Sequence, residues 1–243
     1  MTKIAICYWG MTRSTKYVYN SHFQNLFNVL KNNSIDYKIF IHTWKVEQDK
    51  NIIWENAIDT PIDYQEYALL QPDFYKIEEQ KLFTDQLNFS DYFDRELYDK
   101  YGGDTPHEWR PQLIMNHLCA LESQKRVYQM ANDVGDNFDY IIFIRPDVQI
   151  LNELDINIFN SHFDIIIPSY DHHEGLNDRF AILPFKNTSY YACRIEEIRE
   201  FRKNNGRIVS EKYVKFIINK YYNNLKFIDF KIKIIRPSGK QFY

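Results

Sequence analysis

"KIAICYWGMTRSTKYVYNSHFQNLFNVLKNNSIDYKIFIHTW", residues 3–44, decides the fold. Lys3 to Tyr8 is β-rich and apolar on both faces, the pattern of a strand buried inside a parallel sheet. Val18, Phe23, Leu26, Phe27 and Leu30 then recur at helical spacing until Asn32-Asn33 ends the run. "DYKIFIHTW" (36–44) is apolar again and reads as a second strand. Strand, helix and strand make a βαβ unit, for which a right-handed crossover is expected.

Working outward, "RPQLIMNHLCALESQKRVYQMAND" (110–133) is the clearest helix. Pro111 suits its first position, and apolar residues at 114, 118, 121 and 127 mark one face. "DYIIFI" (139–144) follows as a third strand, parallel to the first. "FDIIIPSY" (163–170) and "DRFAILPF" (178–185) read as a fourth and a fifth. "TSYYACRIEEIREFRKNN" and "SEKYVKFIINKYYNNL" read as helices, with Ser210 and Glu211 in a cap region. "KFIDFKIKIIRPSG" closes the chain as one alternating strand. Residues 45–109 mix short helical patterns with Pro and Gly breaks, an elaborated connection over the sheet. The expectation is one α/β domain over residues 1–243, a mixed, mostly parallel sheet flanked by helices.

Composition narrows the function. A formal charge of -3 argues against a general nucleic-acid or anionic-membrane binder. With 19 Tyr, 18 Phe and 4 Trp, aromatic side chains are abundant enough to supply stacking surfaces for sugars and bases. Cys7, Cys119 and Cys193 show neither metal spacing nor a disulfide framework, which fits reduced thiols in a cytoplasmic protein. No stretch approaches the length of a membrane span, and the first apolar run is too short for a signal region. Walker, dinucleotide-glycine, HExxH, GxSxG and paired CxxC patterns are all missing.

Polar residues gather where the parallel strands end, the place where open α/β sheets bind ligands. After the first strand, Gly10, Thr12, Arg13 and Ser14 form either a nucleotide seat or an ordinary βα loop. After the third, Arg145-Pro146-Asp147 has two readings. Asp147 caps a turn, or it ligates a hard cation such as Mg²⁺ or Mn²⁺ while Arg145 contacts phosphate. In "DHHEGLNDRFAI" (171–182), Asp178 is placed to act as a general base and His172 and His173 to meet hydroxyls or a metal. The alternative is a solvated loop with an Asp178–Arg179 surface pair.

Together "KIAICYWGMTRSTKYVYNSH", "YIIFIRPDVQI" and "NDRFAI" resemble the GT-A-fold glycosyltransferases of large DNA viruses of algae and amoebae, and related bacterial surface-polysaccharide enzymes. The resemblance implies transfer of a sugar from a nucleotide donor, preferably a UDP-sugar, to a glycan or glycoprotein hydroxyl. It implies Mn²⁺ or Mg²⁺ held at an Asp-x-Asp signature, of which only Asp147 matches here. It places the nucleotide on Gly10, Met11, Thr12 and Arg13, and the base beside Thr43 and Trp44. Arg110, Gln112 and Arg145 then approach the phosphates or sugar, and Asp178 becomes the base if the reaction inverts the anomeric centre. Two other readings stand beside it: a degenerate module that binds nucleotide or glycan without turnover, and a nucleotidyltransferase, which needs at least two metal-ligating carboxylates. Neither nucleic acid nor a membrane span is an expected partner.

Overall fold

The computed structural model describes residues 2–46, 62–93, 111–205 and 207–239. Its central sheet has seven strands: β1 (Lys3–Trp9), β2 (Asp36–Lys45), β3 (Phe74–Glu79), β4 (Tyr140–Ile144), β6 (Ile165–Pro168), β7 (Phe180–Pro184) and β8 (Leu225–Ile228). They lie in the order β3-β2-β1-β4-β7-β6-β8. β1 runs parallel to β2 and β4, and β3 parallel to β2. β7 is antiparallel to both its neighbours, whereas β6 and β8 are parallel. Two short strands, β5 (Val148–Ile150) and β9 (Ile232–Ile234), pair antiparallel as a separate ribbon.

Alternation in β1 sorts the core into two layers. Ala5, Cys7 and Trp9 pack with Leu118, Leu121 and Val127 of the long helix Pro111–Asp133 on one face. Ile4, Ile6 and Tyr8 pack with Leu26, Phe27 and Leu30 on the other. The four strands expected at 3–8, 37–42, 139–144 and 164–168 all lie in the one sheet. Because β1, β2 and β4 are parallel, their carboxyl ends open on the same edge of the molecule.

Several expectations need correction. The first helix is not uniform: Thr15–His22 is α-helical, Phe23–Phe27 forms a wide π turn, and Asn28–Asn32 resumes the α-helix. Asn25, inside that turn, accepts from the Leu154 amide (3.0 Å) and donates its side-chain amide to Ile150 (2.8 Å), tying the helix to β5. The closing strand is two strands in two sheets, because the chain leaves β8 at Ile228 and drops buried Phe230 into the core before β9. β3, within 45–109, was not expected. Val209 rather than Ser210 holds the N-cap position of the helix Ser210–Tyr221; Glu211 lies in its first turn, within the cap region expected, and Ser210 Oγ donates to the Glu211 carboxylate (2.8 Å). The three cysteines are free thiols. Among the described residues no helix is long and apolar enough to cross a membrane.

Candidate functional site

At the carboxyl ends of β1 and β4 lies a cavity of about 490 Å³, within the ~300–1,000 Å³ range of small-molecule sites. Gly10, Met11, Arg13, Arg145, Asp147 and Asp178 all line it. β1 ends here because Gly10 adopts φ +97°, a conformation that costs glycine nothing and other residues a good deal. A Cβ on Gly10 meets nothing within 4 Å, so the backbone angle and not crowding requires glycine. The Gly10 amide donates to Ser123 Oγ (2.9 Å), which also bonds His42 Nδ1 (2.8 Å). The long helix and β2 thus hold the loop from below.

Asp147 is 1% exposed. Arg145 grips it in a bidentate pair, Nε to Oδ1 at 2.8 Å and Nη2 to Oδ2 at 2.5 Å. Arg13 Nη2 lies 3.8 Å from Oδ2. Burial pushes the carboxyl pKa up, but the charges of Arg145, Arg13 and Arg236 outweigh it and hold the group below its ordinary range. Arg236 arrives through the ribbon. Val148 pairs with Ile234, and the Ile235 amide donates to the Asp147 carbonyl (2.9 Å), so the next residue lies beside Pro146. Ser14 Oγ donates to the Ile235 carbonyl (2.7 Å), and Thr15 Oγ1 lies within 3.3 Å of the Pro146 carbonyl. Three chain segments, each carrying one arginine, are thereby laced together at one end of the cavity.

Asp178, Glu211 and His117 line the same cavity, and the Arg145 amide donates to the Arg179 carbonyl (3.3 Å), which brings Asp178 alongside the end of β4. Arg179 turns its guanidinium to Asp171 (2.8 Å), so the pair formed is Asp171–Arg179 and not the Asp178–Arg179 surface pair of the alternative reading. Burial raises the Glu211 pKa, and the charge of Asp178 raises it further. Burial lowers His117 to about 4 against the pull of Asp178, and His117 Nε2 meets no hydrogen-bond partner among the described residues. The "DHHEGLN" loop reaches the cavity by resting on the helix Ser210–Tyr221: the Leu176 amide donates to the Glu211 carbonyl (3.0 Å).

No family model matches the sequence, and no curated protein gives a significant match. Solved structures do resemble the chain. Core-mannan synthase A from Aspergillus fumigatus, in its Mn/GDP form, superposes with TM-score 0.55 at 11% identity, over 97% of this chain and 75% of that one. The fold is GT-A. The glycosyltransferase GlyE of Streptococcus pneumoniae aligns at TM-score 0.45 and 8% identity, over 93% of this chain and 45% of its own. The galactosyltransferase LgtC aligns at TM-score 0.42 and 8% identity, over 93% and 73%.

On this GT-A frame the other expected site residues divide. Trp44 lines the cavity but gives only part of its surface. Its indole N–H donates to the Cys119 carbonyl (2.8 Å), and its ring stacks on Phe83 (5.8 Å between centroids). Thr43 is buried in β2 and Thr12 beneath the loop, so neither hydroxyl faces the cavity. Gln112 donates to Asn116 (2.9 Å), and it is Asn116 that reaches the lining. Arg110 lies outside the described residues. His172 Nδ1 accepts from the Asn177 amide (3.2 Å), a loop-closing role, while His173 lines the cavity.

The donor set does not suit the divalent cation expected at Asp147. Hard cations gather several oxygen ligands. Here one carboxylate stands at the end of β4, both of its oxygens are taken by Arg145, and further guanidinium charge surrounds it. No group of three or more acidic, His or Cys side chains able to hold a metal occurs among the described residues. Sequence reading missed Arg236, Glu211 and His117. For Arg236 a signal existed: "IRP" occurs twice, at 144–146 and 235–237, each time where a strand ends.

Proposed function

We propose that the chain is a glycosyltransferase that moves a sugar from a nucleotide donor to a hydroxyl acceptor. The observation that carries this reading is one cavity in a GT-A fold that gathers arginines and carboxylates where β1 and β4 stop: Arg13, Arg145 and Arg236 with Asp178 and Glu211. The donor diphosphate lies against Arg13 and Arg145, over the loop of Gly10, Met11 and Arg13. As the bond from the anomeric carbon to the diphosphate oxygen breaks, that oxygen leaves with the electron pair. The acceptor oxygen bonds the same carbon and its proton passes to Asp178. Arg145 and Arg13 stabilise the charge that accumulates on the leaving group. A UDP-sugar is the preferred donor from the sequence resemblance. GDP in the core-mannan synthase structure makes GDP-sugars the second class to try. The Mn²⁺ of that structure supports a cation as a cofactor of the family frame, but no step here is routed through one.

The test is release of nucleoside diphosphate from UDP-, GDP- and dTDP-sugars with simple glycosides as acceptors. Diphosphate release that rises with acceptor supports the reading. Tight donor binding with no release over days points instead to the binding module.

A further inference from the structure

We propose that the cluster of Arg13, Arg145 and Arg236 takes the place of the divalent cation, so that this chain binds nucleoside diphosphates without metal. The inference rests on the nucleotide reading above and deepens it.

Three guanidinium groups face one buried carboxylate. Burying Asp147 does not require three, because the bidentate pair with Arg145 already engages both oxygens. Arg13, at 3.8 Å, lies beyond hydrogen-bond reach of that carboxylate and adds charge rather than a bond. Arg236 likewise acts on Asp147 through its field. All three arginines line the cavity.

The arrangement is built rather than incidental. Arg145 and Arg236 each follow an isoleucine at a strand end and precede a proline. The β5–β9 register sets the two turns side by side. The Ile235 amide on the Asp147 carbonyl and the Ser14 hydroxyl on the Ile235 carbonyl fix all three segments. Asp147 in this reading is a positioning residue: it aligns the Arg145 fork and keeps its own oxygens away from any cation. Guanidinium groups are suited to the task, since their planar fork matches phosphate oxygens and they are weakly hydrated.

The experiment titrates the full chain with UDP, GDP, dTDP and inorganic pyrophosphate by calorimetry, once in EDTA and once in Mn²⁺. The expected result is binding in EDTA with a Kd within about threefold of that in Mn²⁺, and weakening with salt. Arg236→Gln is expected to lose about tenfold in affinity, or ~1.4 kcal/mol, and Arg236→Lys to recover part of it. Binding seen only in Mn²⁺ overturns the proposal, as does full affinity in Arg236→Gln. The wild-type arms decide even if a variant folds badly. Pyrophosphate binding in EDTA with no nucleotide binding keeps the arginine site and removes the nucleotide reading. No binding of any probe in EDTA or Mn²⁺ removes both.

Discussion

Gly175→Ala is expected to cost this fold several degrees of melting temperature although it adds a single methyl group. A Cβ at Gly175 meets the carbonyl carbon and oxygen of Glu211 at 2.0 Å and the Lys212 nitrogen at 2.4 Å. These atoms belong to the backbone of the helix Ser210–Tyr221 and cannot rotate away. Ordinary contact begins at 3.4 Å, so loop and helix must part by roughly 1.4 Å. That movement stretches the Leu176 amide bond to the Glu211 carbonyl, now 3.0 Å. Overpacking of this kind costs ~1–3 kcal/mol, and the lost hydrogen bond ~1 kcal/mol. Reduced freedom of the unfolded chain returns ~0.4–1 kcal/mol. A net loss of ~1–3 kcal/mol corresponds to a fall of ~3–10 °C in Tm for a chain of this size. The assay is thermal melting alongside urea unfolding, in which the midpoint falls at constant slope. Gly135→Ala serves as the comparison: its φ of +70° is strained for alanine, but nothing lies within 4 Å of the added carbon. A Gly175→Ala protein that melts at or above the wild-type temperature would falsify the packing of this loop against the helix. The same displacement moves Asp178 relative to Glu211, so turnover falls further than stability alone dictates.

Asp178→Asn is expected to lower sugar transfer by ~10²–10⁴-fold while donor binding is kept; wild-type turnover would remove Asp178 from the mechanism. Ser123→Ala leaves the Gly10 amide and His42 Nδ1 without their shared partner, and is expected to cost ~1–3 kcal/mol in urea unfolding. Below neutrality His22 becomes a liability. It is fully buried between Tyr8 Oη (2.7 Å) and the Val148 carbonyl (2.7 Å), and burial lowers its pKa from 6.5 to about 4. A depressed folded pKa gives stability that is present above pH 6.5 and is lost as the pH falls through about 4. The loss has a ceiling of ~3 kcal/mol. Urea midpoints at pH 7, 5.5 and 4.5 measure it, and a midpoint that does not fall on acidification contradicts it.

How much of this was legible in the sequence follows from which interactions leave a periodic trace. β1, β2 and β4 were legible because both of their faces are buried, which writes an unbroken apolar run. β3 was not: "FYKIEE" sits at the sheet edge with most of its side chains partly or fully exposed, so its backbone pairing to β2 leaves no apolar signature. The closing segment misled for the opposite reason. "FKIKII" alternates well, but alternation does not say which sheet a strand joins, and buried Phe230 marks the change. In the site, the loop after β1 and the residues after β4 were legible from topology alone. The alternative reading, an Asp178–Arg179 pair, rested on adjacency along the chain alone. Asp171, held at φ +54°, instead brings its carboxylate to Arg179 from across the loop. Glu211 read as a capping residue because its position at a helix start fits that role equally well.

Charges of both signs line the cavity, and their pairing is uneven. Arg179 is engaged by Asp171, and Lys212 by Glu174. Each is neutralised by a carboxylate of the "DHHEGLN" loop rather than by Asp178 or Glu211. Around Asp147 the arrangement is inverted, with the charges of three arginines acting on one carboxylate. On the proposed reading this division has a chemical use. Negative charge builds on the diphosphate as the glycosidic bond breaks, while positive charge builds on the acceptor hydroxyl as it attacks. Arginines and an uncompensated Asp178 already in place stabilise both without reorganising. Asp171→Asn releases Arg179 toward Asp178. The general base then acquires a cationic neighbour that lowers its affinity for the proton, while Arg13, Arg145 and Arg236 keep their partners. The expected signature is a fall in kcat with diphosphate affinity unchanged, and loss of diphosphate affinity in that variant would show that Arg179 and the three arginines do not act separately.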